Sequence, residues 1–299
     1  MRKCQFEHVV VIGYGIITGE VLKTVQSLAS KYDYTTEYIE YEIHPFNTAK
    51  KFAETERIKH NTIEDNNAVT EHLVELLKKK TLIISASNNY LFPTNIVLND
   101  NATIINFHNA LLPELPGRNA PSWAIYEGRE YTGITWHYIN EGIDAGDIII
   151  QRKCEITADV KAYELVAVQM RIASEAFNES YESVLLNCAN RNKQVIDSNR
   201  KIYKSYEVPG NGYFNLDDSS EEIYRLLRSL DYGKNTIFPL ARTKKDGIEI
   251  RISRYKKVPI IEDEKPHRIY IPFDNEYKLM LRYEHVDENG FSKVHAKLH

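Results

Sequence analysis

The sequence predicts an α/β protein: a Rossmann-like open sheet followed by a small β-rich C-terminal domain. Three observations predict it. Short β-branched runs alternate with helical periodicity through residue 200, and these runs end in loops that carry Gly or Pro. From residue 201 onward the pattern changes to alternating polar and apolar segments separated by turn residues. The expected domains are therefore 1–200 and 201–299.

Taken in order, HVVVIG at residues 8–13 has the unbroken apolar content of a buried strand, and the following GYGIITGEVLKTVQSL turns into a helix. Gly13, Gly15 and Gly19 invite a dinucleotide reading, with Glu37 or Glu40 as the ribose-binding acid, but a glycine-rich first turn is common to such sheets. Residues 34–41 supply a second strand whose polar flanks suit an outer position. Residues 66–80 read as a helix with Val69, Leu73, Leu76 and Leu77 on one face and lysines at its carboxyl end. TLIISA at 81–86 is a further apolar strand leading into SNNYLFP.

Thr103, Ile104, Ile105 and Phe107 form the next strand, cut off by a loop holding Pro113, Pro116 and Gly117. Asn106 and His108 sit at its carboxyl end, where open α/β sheets bind ligands, and alternate to the same side of the pleat. Residues 131–139 form another strand, followed by a turn over 141–146 that carries Asp144. IIIQRKCEI is a strand, 160–186 a long helix with Leu165, Val168, Ile172, Ala176 and Phe177 on one face, and 190–205 a polar linker. Ser219 to Glu222 is a capping box opening a helix with Ile223, Leu226, Leu227 and Leu230 in one stripe. Strands follow at 248–255, 267–273 and 277–283, the last two joined as a hairpin through Asp274 and Asn275.

An Asn, a His and an Asp without a Ser or Cys nucleophile suit a reaction whose substrate brings its own nucleophile, an amine. An amide and a protonated imidazole can each donate to a developing oxyanion, worth roughly 3 kcal/mol per donor. A carboxylate beside the imidazole is expected to raise its pKa and fix its tautomer. That is an acyl-transfer site. The bland alternative for an Asn two residues before a His at a strand end is turn chemistry.

The net charge of -4 gives no basic field and argues against a nucleic-acid partner. Cys4, Cys154 and Cys188 form neither a disulfide framework nor a zinc pattern, which fits a reducing cytoplasm. The first apolar run, 8–17, is too short to span a bilayer, and no signal peptide or membrane association is expected. Lys244, Lys245, Arg251, Arg254, Lys256 and Lys257 make a basic stripe in the tail, read first as a solvated strand face.

The N-x-H of Asn106 and His108, the LLP that follows, and Asp144 within GIDAGDI resemble the 10-formyltetrahydrofolate-dependent formyltransferase superfamily. The form GITWHYINEGIDAGDIIIQ is most similar to sugar N-formyltransferases and natural-product formylation domains. The resemblance implies a Rossmann-like formyltransferase domain and N-formylation of a small-molecule primary amine, either a nucleotide-linked aminosugar or an amino acid or peptide precursor in natural product biosynthesis. It makes Asn106, His108 and Asp144 catalytic and 10-formyltetrahydrofolate the formyl donor, with no metal. Asn89, Tyr90, Leu91, Phe92, Ile139 and Gly142 become the folate-binding candidates, and Gly13, Tyr14, Arg118, Asn119 and His137 the substrate-binding ones. A homodimer is compatible with this reading. The alternatives are a methionyl-tRNA formyltransferase, a 10-formyltetrahydrofolate hydrolase, a nicotinamide-dependent dehydrogenase resting on the amino-terminal glycines, and a tRNA-binding scaffold resting on the basic tail.

Overall fold

The structure, a computed structural model, describes residues 4–44 and 47–285. The elements in chain order are β1 (His8–Gly13), α1 (Gly15–Tyr32), β2 (Thr35–Tyr41), α2 (Thr48–Thr55), β3 (Lys59–Ile63), α3 (Asn66–Leu76), β4 (Thr81–Ala86), α4 (Thr94–Val97) and β5 (Ala102–His108). They continue with α5 (Ala120–Tyr126), β6 (Tyr131–Tyr138), β7 (Ile148–Glu155), α6 (Ala162–Leu185), α7 (Ser220–Leu230), β8 (Arg242–Lys245), β9 (Ile248–Pro259), β10 (Arg268–Pro272) and β11 (Tyr277–His285).

Two compact units emerge. One holds the chain through Pro116, Gly133–Cys154 and Ala167–Ile202; the other holds Gly117–Thr132, Glu155–Val166 and the chain from Tyr203. The division is thus not a single cut near residue 200, because two earlier segments group with the tail.

The first unit is built on a seven-stranded sheet in the order β3-β2-β1-β4-β5-β6-β7. Neighbours from β3 to β5 run parallel, and β6 runs antiparallel to β5. Apolar residues cover both faces, as a largely parallel sheet requires. Val9, Val11, Leu82, Ile84, Ile105 and Phe107 pack one way, with α1 and α6 residues such as Val21, Phe177 and Tyr181. Val10, Ile12, Ile39 and Ile83 pack the other way, with Val69 and Leu73 of α3. That is why HVVVIG shows no alternation.

The sheet adds β3 outside β2, so β2, expected in an outer position, is second from the end. The helix at 66 opens on the side chain of Asp65, which accepts from the Ala68 N–H at 2.8 Å, and closes at Leu76. Lys78 and Lys79 lie beyond its end, ion-paired with Glu75 and Glu7. In α6, Leu165, Ala176 and Phe177 are buried, whereas Val168 is 38% exposed and the buried position beside it is Gln169. Gln169 donates to the carbonyls of Asn109 and Gly133, both at 2.8 Å, tying the helix to the strand ends.

The second unit contains an antiparallel sheet in the order β10-β11-β9-β8. Its helix α7 begins with the capping box between Ser219 and Glu222 and buries Ile223, Leu226, Leu227 and Leu230 against Ile250, Ile252, Leu279 and Leu281. Among the described residues no helix is long and apolar enough to cross a membrane.

Candidate active site

Strand β5 is flanked by a parallel neighbour and an antiparallel one, and its last residues meet side chains from both. Asn106 is in register with Ser85 of β4 and His137 of β6. Residues directly opposite on neighbouring strands share a face, and this register accounts for a contact of 3.2 Å between Asn106 Nδ2 and His137 Nε2. Asp144 enters from the loop after β6. Its Oδ2 lies 3.5 Å from His108 Nδ1 and its Oδ1 lies 3.6 Å from His137 Nε2. The structure therefore brings together Asn106, His108, His137 and Asp144. Both imidazoles are buried, at 5% and 2% exposure, while the carboxylate keeps 13%, which leaves a narrow opening at the acid.

The hydrogen bonds decide the tautomers. His108 Nε2 is 2.9 Å from the Leu115 carbonyl, so Nε2 carries the hydrogen and Nδ1 faces the carboxylate. His137 Nδ1 is 2.8 Å from the Tyr138 carbonyl, so that nitrogen donates and Nε2 is the lone-pair side. That lone pair meets the amide nitrogen of Asn106 rather than its oxygen, so the amide donates to His137. One amide hydrogen is spent there, and the amide carries a second.

Burial holds the His108 pKa below the ordinary histidine value; the charge of Asp144 works the other way and does not overcome it. The sequence argument expected the carboxylate to raise this pKa. It omitted the desolvation of a fully enclosed ring, which disfavours the cation. At neutral pH, His108 Nδ1 is thus an acceptor facing the acid, and Asn106 is the donor already in place.

Asp144 itself adopts a left-handed backbone, with φ 47°. Three groups hold it there. The Gln194 side chain donates to the carbonyls of Asp144 and Gly146 at 3.0 and 2.7 Å. Arg200 donates to the Ile143 carbonyl at 2.6 Å, and a Cβ on Gly146 would lie 1.8 Å from the Tyr138 carbonyl oxygen, so only glycine lets the loop close on β6. The segment expected to be a linker at 190–205 is therefore, through residue 202, the support of the Asp144 loop, with Asn192 bridged to Ile148. Sequence reasoning missed Gln194 and Arg200 because both act through backbone carbonyls, and no local motif marks that use.

The other candidates divide. Gly13 has a structural duty: a Cβ there would lie 1.8 Å from the Ala86 carbonyl oxygen, so glycine permits β1 and β4 to end close together. Tyr14 stacks on His44 with ring centroids 3.5 Å apart and planes 8° from parallel. Glu37 and Glu40, the acids of the dinucleotide reading, are buried and committed to the protein. Glu37 is bonded to Lys59, Asn61 and His72, and Glu40 to Asn47, Thr62 and the His44 N–H.

In the loop after β4, the Tyr90 side chain belongs to the core: it is buried, meets Tyr41 and Phe92 edge-on, and bonds Thr70 at 2.7 Å. Leu91 is 70% exposed, and Asn89 donates to Glu42 at 3.2 Å. Ile139 donates its N–H to the Ile104 carbonyl at 2.8 Å, and Gly142 donates to the Asn140 side chain at 3.0 Å. Arg118 and Asn119 belong to the second unit; the Arg118 N–H bonds the Tyr203 carbonyl at 2.9 Å, and Asn119 caps α5 in a left-handed conformation.

A Rossmann-like sheet that brings an amide donor and an enclosed imidazole at one strand end beside a carboxylate from a neighbouring loop suits the class of enzymes that move an acyl group to a nucleophile carried by the substrate. The comparisons with known proteins narrow that class. Residues 43–181, which contain all four clustered side chains, match the family described as Formyl transferase. The methionyl-tRNA formyltransferase of Clostridioides difficile is 27% identical over 150 residues, covering 50% of this chain and 48% of that protein. The chain matches about half the length of that curated relative.

Among solved structures, the N-formyltransferase of Helicobacter canadensis, in complex with folinic acid and dTDP-3-aminofucose, aligns at a TM-score of 0.70 and 16% identity, over 93% of this chain and 100% of that one. WlaRD, a sugar 3N-formyl transferase in the presence of dTDP and 5-N-formyl-THF, aligns at 0.66 and 17% identity, over 93% and 98%. These two likenesses establish the shared fold. Residues 43–181 are thus similar to the formyltransferase family, and the fold is the one its solved relatives share.

Proposed function

We propose that this protein transfers a formyl group from 10-formyltetrahydrofolate to the primary amine of a small molecule, a nucleotide-linked aminosugar or an amino acid or peptide precursor. The observation that carries the reading is the quartet of Asn106, His137, Asp144 and His108, linked at 3.2, 3.6 and 3.5 Å inside the stretch that matches the family. The set fits the donor because it offers an oxyanion donor and proton carriers but no nucleophile of its own. Bound there, 10-formyltetrahydrofolate supplies an electrophilic formyl carbon on N10 and a nitrogen leaving group.

Within the site, the second amide hydrogen of Asn106 donates to the formyl oxygen as charge develops there. Asp144 accepts the proton released by the attacking amine. His108 Nδ1, directly beside that carboxylate, takes the proton on, becomes a second donor to the same oxygen, and returns the proton to the departing nitrogen. His137 holds the amide of Asn106 and so acts as a positioning residue. The aminosugar branch of the proposal is supported by the solved relatives complexed with dTDP or dTDP-3-aminofucose, which match nearly the whole chain. The three free cysteines fit a reducing cytoplasm as the working compartment.

The test is tetrahydrofolate release from 10-formyltetrahydrofolate in the presence of a panel of amines, including dTDP-linked aminosugars and amino acid derivatives. A single preferred amine with formylated product is expected, and an absence of release with every amine overturns the proposal. The names of the curated relatives support a second reading, methionyl-tRNA as acceptor. Methionyl-tRNA in the same panel separates the two, and release without any amine would identify a hydrolase.

A further inference from the structure

The carboxyl-terminal sheet has two faces of opposite character. On β11, Leu279 and Leu281 are buried, and Ile269 and Ile271 of β10 pack against the same apolar cluster. Alternate residues face the other way. There Arg282 stands in direct register with Arg268 of β10 on one side and Arg254 of β9 on the other. Three guanidinium side chains thus leave the same face from adjacent strands, and the next row is Tyr270, Met280 and Lys256.

Like charges directly opposite one another destabilise a sheet. Other cations of the same sheet are paired across strands or to neighbouring loops: Arg251 with Glu284 at 3.0 Å, Lys257 with Asp159 at 2.8 Å, and Lys278 with Glu264 at 3.3 Å. Among the described residues, Arg254, Arg268, Arg282 and Lys256 form no ion pair. Arg254, Lys256 and Met280 also line a cavity of about 940 Å3 that lies within the second unit, together with Asn235, Thr236 and Phe238. A concave site of this size suits a small ligand, and guanidinium groups bind phosphate through paired hydrogen bonds.

We propose that this row and the cavity beside it form a binding site for an organic diphosphate such as a nucleoside diphosphate. The phosphates lie on Arg254, Arg268, Arg282 and Lys256, and the organic body enters the cavity beside Phe238, with Asn235 and Thr236 as polar contacts. One carboxylate would neutralise one of these cations, whereas a diphosphate answers several at once. The concavity and the chain's net charge of -4 favour a small anion over a nucleic acid.

Hydrogen–deuterium exchange on the full chain tests this, with thymidine diphosphate, inorganic pyrophosphate and a short RNA as probes. Thymidine diphosphate is expected to protect peptides covering 250–258 and 268–283, about tenfold more tightly than pyrophosphate because the cavity takes the organic body. In the variant R254A/R268A/R282A that protection should weaken at least about tenfold, while the melting temperature at low salt is unchanged or higher because like charges have been removed. The proposal is overturned by no protection in those peptides, by an affinity in the variant within about twofold of the parent, by equal affinity for pyrophosphate, or by protection with RNA alone.

Discussion

Replacing Asp144 with Asn separates the chemistry from the fold. The side chain has the same shape, and its backbone is held by Gln194, Arg200 and the glycine at 146 rather than by its own carboxylate. The lost charge faces His108 Nδ1 at 3.5 Å and His137 Nε2 at 3.6 Å. With the backbone still braced, the stability change should stay within about 1 kcal/mol. Turnover loses its proton acceptor, a term of about 10²–10⁴-fold or roughly 3–5 kcal/mol of barrier.

Loss of the Asp144 charge also leaves burial less opposed at His108, so the His108 pKa should fall further. The measurements are tetrahydrofolate release with the preferred amine, thermal melting, and the imidazole titration of His108 by NMR in both proteins. Retention of more than about a tenth of parental turnover, or an upward movement of the His108 titration, would refute the reasoning.

The remaining expectations follow from the same geometry. His137→Leu removes the acceptor that orients Asn106 and should lower kcat about 10–100-fold with little change in KM; His137→Gln, which can still accept, should recover part of it, and an unaltered kcat in the Leu variant would show that Asn106 needs no such support. Gln194→Leu strands the Asp144 and Gly146 carbonyls and should cost about 1–3 kcal/mol of stability as well as activity, measured by denaturant unfolding and turnover.

For pH, the folded pKa of His108 lies below its unfolded value. The stability tied to neutral His108 is therefore fully present above about pH 6.5 and is lost as pH falls below that value toward the folded pKa, because the unfolded chain takes up the proton first. The acid limb of kcat/KM should accordingly lie below pH 6.5, and a limb above pH 7 would contradict a neutral His108 in the working enzyme. Ser219→Ala removes the α7 cap and should cost about 0.5–2 kcal/mol without touching turnover, as read by thermal melting and the release assay.

The parts of the fold that could be read from sequence are those where one physical rule dominates. Strands β1, β4 and β5 are buried on both faces and show as unbroken apolar runs; α7 announces itself through its capping box and single stripe. What escaped was weakly patterned. Strand β3, KHNTI, is a partly exposed strand at the end of the sheet with no apolar face, and α2 is eight residues long, opened by the Asn47 side chain. The placement of Asn106 and His108 at a strand end, and of Asp144 in a loop, could be read because each strand gives way to turn residues. His137 was legible only as a histidine in a strand; its meeting with Asn106 is fixed by the register of β6 on β5, which one sequence does not state. The expected sign of the His108 shift failed for a related reason: spacing reveals a nearby carboxylate but not how completely the ring is sealed.

The bracing of the Asp144 turn by Gln194 and Arg200 reaches past residues 43–181, the stretch that matches the family model. Anyone trimming this chain to that stretch would keep Asn106, His108, His137 and Asp144 and discard the brace. The acid would then be free to wander from its two imidazoles, and such a trimmed protein would look correct by its motifs while turning over slowly.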